Sequence, residues 1–240
     1  MTGTPKLTAV IVGASGGVGR AVARALAATH DLWLVGRNPT SLSETAGYIP
    51  SAKTWVIDLE DLPAPITPPA AITQVDALVL AAGSWVGGSI AGTDIADWAT
   101  AMQVNALGQV AIARSLLPQL RKSRGKLIGL SSTAVLGAPG GRGAYTASKA
   151  AFEVFLTALH EEERHQGVQV SIIQPGRIDT PILDKLHTAS KEGAPKVESM
   201  SPDDIAGVIS QLVTTSLDVQ VMSMVVRAKS FTATGNGDPD

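Results

Sequence analysis

Apolar residues come in short unbroken runs along this chain: Leu7–Val12, Leu32–Val35, Thr54–Ile57, Ala77–Ala81, Leu127–Leu130, Val170–Ile173 and Val219–Val226. Within each run the apolar positions are mostly consecutive rather than alternating, the pattern of a strand covered on both faces. Between the runs the apolar positions recur at helical spacing, over about Val18–Ala28, Ser41–Tyr48, Ile95–Ser123, Tyr145–His165 and Pro202–Thr215. Strand–helix alternation of this kind implies right-handed βαβ units. The expected fold is therefore α/β, one doubly wound sheet of about seven parallel strands with helices on both faces. Leu62–Ala71 breaks the rhythm. It carries Pro63, Pro65, Pro68 and Pro69, which no regular helix accommodates, so one crossover is expected to be a surface loop. No linker divides the chain. Residues 1–233 are expected to form a single domain and 234–240 a frayed tail.

Composition narrows the function classes. In 240 residues, 45% hydrophobic and 17% charged, there is enough apolar material for a large core, which excludes a mainly disordered chain. A net charge of -2 supplies no field to hold nucleic acid or an anionic membrane, and aromatics at 4% argue against a stacking platform for single strands. With no cysteine there is no disulfide scaffold, zinc–thiolate site or thiol nucleophile. His30, His160, His165 and His187 show no metal-ligand spacing, so no metal site is expected. Only the six-residue run Leu7–Val12 separates Lys6 from Gly13, too short for an export signal, and no segment approaches ~20 apolar residues. A soluble cytoplasmic protein is expected, with neither nucleic acid nor membrane as partner.

The first apolar run ends in Val12-Gly13-Ala14-Ser15-Gly16-Gly17-Val18-Gly19-Arg20, directly before a helix. A dinucleotide pyrophosphate needs a tight turn, a bare backbone to approach and a helix N-terminus aimed at it. Gly13, Gly17 and Gly19 can supply these, and Ser15 adds a hydroxyl. No Gly-Lys-Ser/Thr follows, which excludes a P-loop nucleotidase. The second run ends at Val35-Gly36-Arg37-Asn38. An acid there would bind both ribose hydroxyls of NAD; Arg37 instead suits a 2′-phosphate, as a planar donor, or stands as a solvated strand-end arginine. The most informative stretch is Tyr145-Thr146-Ala147-Ser148-Lys149, which puts Tyr145 and Lys149 on one helix face. A tyrosine with its ordinary pKa of ~10 is a poor acid–base catalyst near neutrality, and a nearby ammonium lowers that value. Ser132, thirteen residues earlier in the sequence, follows the fifth run, where its hydroxyl can hold a carbonyl oxygen beside the tyrosine.

The Gly-x-x-x-Gly-x-Gly spacing, with Ser132, Tyr145 and Lys149, resembles the short-chain dehydrogenase/reductase family, and the resemblance extends over nearly the whole chain. It implies a Rossmann-like fold and an oxidoreductase that moves a hydride between NADP(H) and a carbonyl or alcohol substrate. NAD is the alternative cofactor. In that reading Gly13, Ser15, Gly17, Val18, Gly19, Arg37 and Asp58 hold the adenosine half of the cofactor; Asp58, after the third run, meets the adenine amino group or serves as a turn residue. Asn105, in Val104-Asn105-Ala106, matches the asparagine that holds a water in the family's proton relay. Pro175, Ile178 and Thr180 match the loop that contacts nicotinamide. Leu80-Ala81-Ala82-Gly83 stands where the family has Asn-Asn-Ala-Gly, with Ala82 and Gly83 at the cofactor. Catalysis falls to Asn105, Ser132, Tyr145 and Lys149. Lys149 would lower the tyrosine pKa and hold the ribose. The competing reading is a regulatory protein that binds NADP(H) without turnover. The substrate pocket is expected between Ser84–Gly88, Thr133–Gly143 and a lid over Ile182–Met200, with an apolar wall of Trp85, Val86, Val135 and Leu136 and no single dominant charge. Wide apolar faces on Ile95–Ser123 and Tyr145–His165, through which family members pair, imply a homodimer or homotetramer.

Overall fold

Side chains of successive residues in the inner strands leave on opposite faces, and both faces are covered. From the first strand, Leu7–Val12, Ala9 and Ile11 enter one layer with Leu26, Leu34, Ile205 and Ile209, whereas Val10 and Val12 enter the other with Ile112, Leu116, Phe152 and Leu156. This double burial is the physical cause of the unbroken apolar runs. The structure is a computed structural model and describes residues 6–181 and 198–229. The expected tail at 234–240, the domain boundary at 233 and most of the expected lid, 182–197, lie outside the described residues.

The strands are β1 (Leu7–Val12), β2 (His30–Gly36), β3 (Lys53–Val56), β4 (Ala77–Leu80), β5 (Lys126–Leu130), β6 (Gln169–Pro175) and β7 (Ser223–Val226). All neighbours pair in parallel, in the order β3-β2-β1-β4-β5-β6-β7. Helices α1 (Gly17–Leu26), α2 (Pro39–Gly47) and α7 (Pro202–Thr214) cover one face. Helices α4 (Gly108–Ser123) and α6 (Gly143–Glu163) cover the other, while α3 (Ile95–Met102) and the single turn α5 (Ala134–Gly137) pack against α6. Chain order reverses between β1 and β4, and the crevice outside their carboxyl ends is where this class of fold binds ligands. Among the described residues no helix is long and apolar enough to cross a membrane.

Three expectations need correction. The edge strands β3 and β7 are half-exposed, not covered on both faces. The seventh run is strand only from Ser223, because side chains occupy the backbone groups before it: Gln220 Nε2 donates to the Val170 carbonyl (2.7 Å) and Ser171 Oγ to the Val221 carbonyl (2.6 Å). Third, Ile95–Ser123 is not one continuous helix. A π-helical turn, Gln103–Leu107, interrupts it between α3 and α4. The chain packs there against Leu59, since Gln103 Nε2 donates to the Leu59 carbonyl (2.8 Å) and a Cβ on Gly108 would stand 2.8 Å from the Leu59 Cβ. The proline-rich crossover between β3 and β4 contains no helix, as its composition requires.

Candidate active site

The first βα turn is held closed by its own backbone. The amides of Gly13 and Ala14 donate to the Val35 carbonyl (2.9 and 3.1 Å), and the Gly16 amide to the Gly13 carbonyl (3.0 Å). Gly13 has φ +84°, and a Cβ on it would lie 2.7 Å from the Ala82 backbone, so only glycine fits. A Cβ on Gly19 would collide with the Gly13 carbonyl, which lets α1 start tight against the turn. Helix α1 begins after Gly16 with no side-chain cap, so its first-turn amides point at the crevice with the positive end of the helix dipole.

At the next strand ends, Arg37 pairs with Glu60 across 2.9 Å, and both side chains are largely solvated. Asp58 accepts the Glu60 amide at 3.0 Å, so one of its oxygens serves a turn.

Ser132 follows β5 in a segment tied to β6 on both sides: the Ser131 amide donates to the Ile173 carbonyl (2.8 Å) and the Thr133 amide to the Pro175 carbonyl (3.0 Å). Helix α6 is rich in Ala, Glu and Leu, good helix formers, and anchors through Phe152, Leu156 and Leu159. Its first turns present Tyr145 and Lys149. Burial raises the Tyr145 phenol above its ordinary pKa, opposed by the neighbouring Ser132 hydroxyl and by the charge of Arg142. Burial also pulls the Lys149 ammonium down to about 8, and its Nζ donates to the Leu130 carbonyl at 2.8 Å. The cation that acts on the phenol here is thus Arg142; Lys149 is directed to the end of β5. Trp85 is close to both Tyr145 and Arg142, its ring 5.0 Å from that of Tyr145 and 5.9 Å from the Arg142 guanidinium carbon.

One cavity of about 370 Å³ joins these parts, from Gly13–Gly19 past Arg37 and Asp58 to Ser132, Tyr145 and Lys149. A glycine turn on an uncapped helix at one end and a Ser–Tyr–Lys cluster at the other can seat a dinucleotide and exchange a proton beside it. The family model for short chain dehydrogenases matches residues 7–191. The chain belongs to the short-chain dehydrogenase/reductase family. Among the relatives of this short-chain dehydrogenase, an uncharacterized oxidoreductase of Staphylococcus saprophyticus is 30% identical over 91% of this chain and 96% of its own. The glycine betaine reductase of Emericella nidulans is 31% identical over 84% of this chain and 17% of its own length. A solved structure, described as a short chain dehydrogenase/reductase family protein, superposes with a TM-score of 0.82 at 26% identity, over 92% of this chain and 95% of that one.

The protein is therefore an oxidoreductase of a family that uses NAD(P) nucleotides, and its own donor set fits one: bare backbone at Gly13 and Gly19, open helix amides and a continuous cavity. That cavity is lined by Gly13, Ser15, Gly17, Val18, Gly19, Arg37, Asp58, Ala82, Gly83, Ser132, Tyr145, Lys149, Pro175, Ile178 and Thr180, all sites read from the short-chain dehydrogenase motifs. Asn105 does not line it. It is fully buried behind the site, bonded to Ser84 and Ser148. Of the expected apolar wall only Trp85 reaches the cavity. Glu60 lines it and was not expected; Arg142 also lines it, within the expected segment Thr133–Gly143 but with no role assigned to it from sequence. Arg142 sits three positions before Tyr145, a spacing that could have flagged it; Glu60 had only its nearness to Asp58. Among the described residues no group of three or more His, Asp or Glu gathers as metal ligands.

Proposed function

We propose that this protein interconverts a small carbonyl compound and the corresponding alcohol with NADP(H), using Tyr145 as general acid and base. The observation that supports this most is the position of Ser132 and Tyr145, together at the far end of the cavity that starts at the glycine turn. The turn's amides and Ser15 hold the pyrophosphate, Arg37 the 2′-phosphate and Asp58 the adenine. Pro175, Ile178 and Thr180 flank the nicotinamide half with Ala82 and Gly83. The cofactor supplies the hydride when bound. Ser132 donates to the substrate carbonyl oxygen and orients it, and the Tyr145 phenol passes its proton to that oxygen. Because burial raises the phenol pKa, Tyr145 carries its proton at neutral pH, which suits reduction. Lys149 holds the ribose and keeps a positive charge beneath the site. Asn105 acts as a positioning residue. Leu107, in the π turn that leads into α4, and Val154, on α6, remain 55% and 71% exposed, which supports a homodimer or homotetramer through these helices.

The test is Tyr145→Phe against ketones, aldehydes, quinones and acyl-thioesters with both cofactors. The variant removes one oxygen and keeps the ring for Trp85. We expect kcat to fall by roughly 10²–10⁴-fold with NADPH affinity retained. Near-normal turnover in the variant removes Tyr145 from the acid role. A parent protein that binds NADPH and reduces nothing in the panel supports the regulatory reading instead.

A further inference from the structure

The pair Arg37–Glu60 joins the ends of β2 and β3 inside the cavity, with Arg37 Nη1 2.9 Å from Glu60 Oε1. Glu60 is not loosely placed. Its amide donates to Asp58 Oδ1 at 3.0 Å, which fixes the turn Asp58-Leu59-Glu60. The preceding residue, Leu59, is buried, and its carbonyl accepts from Gln103 Nε2. Position 36 has no side chain, and a Cβ there would stand 3.4 Å from both Ser15 Oγ and a Leu42 methyl. The carboxylate paired with Arg37 therefore comes from the loop after β3, not from the end of β2.

We propose that Glu60 competes with the cofactor 2′-phosphate for the Arg37 guanidinium, and so sets how strongly the site distinguishes NADP from NAD. The inference rests on the reading of Arg37 as the 2′-phosphate partner. The physical reason is that one guanidinium face serves two anions. A phosphate arriving at Arg37 displaces the carboxylate or shares the cation with it at close range. Either outcome subtracts from the gain of the new charge-assisted bonds. The pair is cheap to open because both side chains are solvated, Arg37 64% and Glu60 42% exposed, and exposed pairs contribute little. Glu60 thus lowers the preference for the phosphorylated cofactor without abolishing it. A nucleotide that lacks the 2′-phosphate leaves the pair intact and is indifferent to it.

The experiment titrates the intact protein with adenosine 2′,5′-bisphosphate and with 5′-AMP by calorimetry, which isolates the 2′-phosphate from turnover. Glu60→Gln keeps the shape and removes the charge. It is expected to tighten the bisphosphate by about three- to tenfold and to leave 5′-AMP unchanged. Raising the salt should narrow that gain, since the groups are solvated. In an Arg37→Ala background the same Glu60→Gln change should gain less, because the shared cation is gone. An equal gain in both backgrounds, or none in the parent background while Arg37→Ala still weakens the bisphosphate, overturns the competition and leaves the NADP reading standing. If Arg37→Ala itself leaves bisphosphate affinity unchanged, the reading of Arg37 fails and the competition fails with it.

Discussion

Asn105 is fully buried and gives every polar atom of its side chain to the protein. Nδ2 donates to the Ser84 carbonyl (3.0 Å) and to Ser148 Oγ (2.9 Å), and Oδ1 accepts the Ser84 amide (2.7 Å). It thereby ties the segment after β4, which carries Trp85, to the helix that carries Tyr145 and Lys149. Asn105→Ala strands buried polar groups on both sides, so we expect a stability loss of roughly 2–4 kcal/mol, read by urea denaturation. A loss below about 0.5 kcal/mol, the range of ordinary surface changes, would contradict the bracing role. The residue was legible in Val104-Asn105-Ala106, but its partners lie 21 and 43 positions away, and no local pattern names them. The same limit applies to Lys149. Its spacing from Tyr145 is a property of any helix, whereas the direction of its ammonium depends on the Leu130 carbonyl at the end of β5.

Between elements, α4 and α6 are joined by a two-pronged ion pair: Arg121 Nε and Nη2 donate to the two Glu163 oxygens at 2.7 and 2.6 Å. The Glu163 side chain is 4% exposed and that of Arg121 46%. The hydrogen bonds from Arg121 hold the Glu163 carboxyl below its ordinary pKa. A depressed folded pKa means that the carboxylate stabilises the native state above the unfolded value, near ~4.3, and that this contribution is lost as pH falls through the folded pKa. Glu163→Gln removes the charge at every pH. We expect it to cost about 1–2 kcal/mol at pH 7, after discounting for the half-exposed arginine, and the gap to the parent to narrow as pH falls below about 4. Parallel denaturation curves at pH 7 and pH 3.5 measure this; a gap that persists in acid assigns the loss to packing. Helix existence was legible here from the 3.6-residue period, and helix continuity was not. Gln103–Leu107 contains no glycine or proline to mark a break, and its π turn is made by contact with Leu59, 44 positions before Gln103.

The cavity draws its lining from the carboxyl ends of β1, β2, β4, β5 and β6 and from the starts of α1 and α6, so it exists only when the whole sheet is assembled. This is why the sheet and its motifs could be read so far from sequence: consecutive apolar positions report burial on both faces, and the site residues sit directly at the ends of those runs. What is formed across the edge, such as the meeting of Arg37 with Glu60, 23 positions apart, carries no such local mark. A ligand that binds only the assembled state stabilises the whole fold by mass action. With NADPH at one hundred times its Kd the gain is about 2.7 kcal/mol. For a chain of this length that is a rise in Tm of roughly 5–10 °C. NADH at the same concentration lacks the 2′-phosphate and should raise Tm less. Arg37→Ala should lower the NADPH shift to that of NADH while the NADH shift stays as in the parent, because the glycine turn that holds the shared pyrophosphate is untouched. Differential scanning calorimetry of parent and variant with each nucleotide measures all four shifts. An absent shift with both nucleotides in the parent contradicts dinucleotide binding at this cavity; equal shifts in the parent contradict the phosphate role of Arg37 alone.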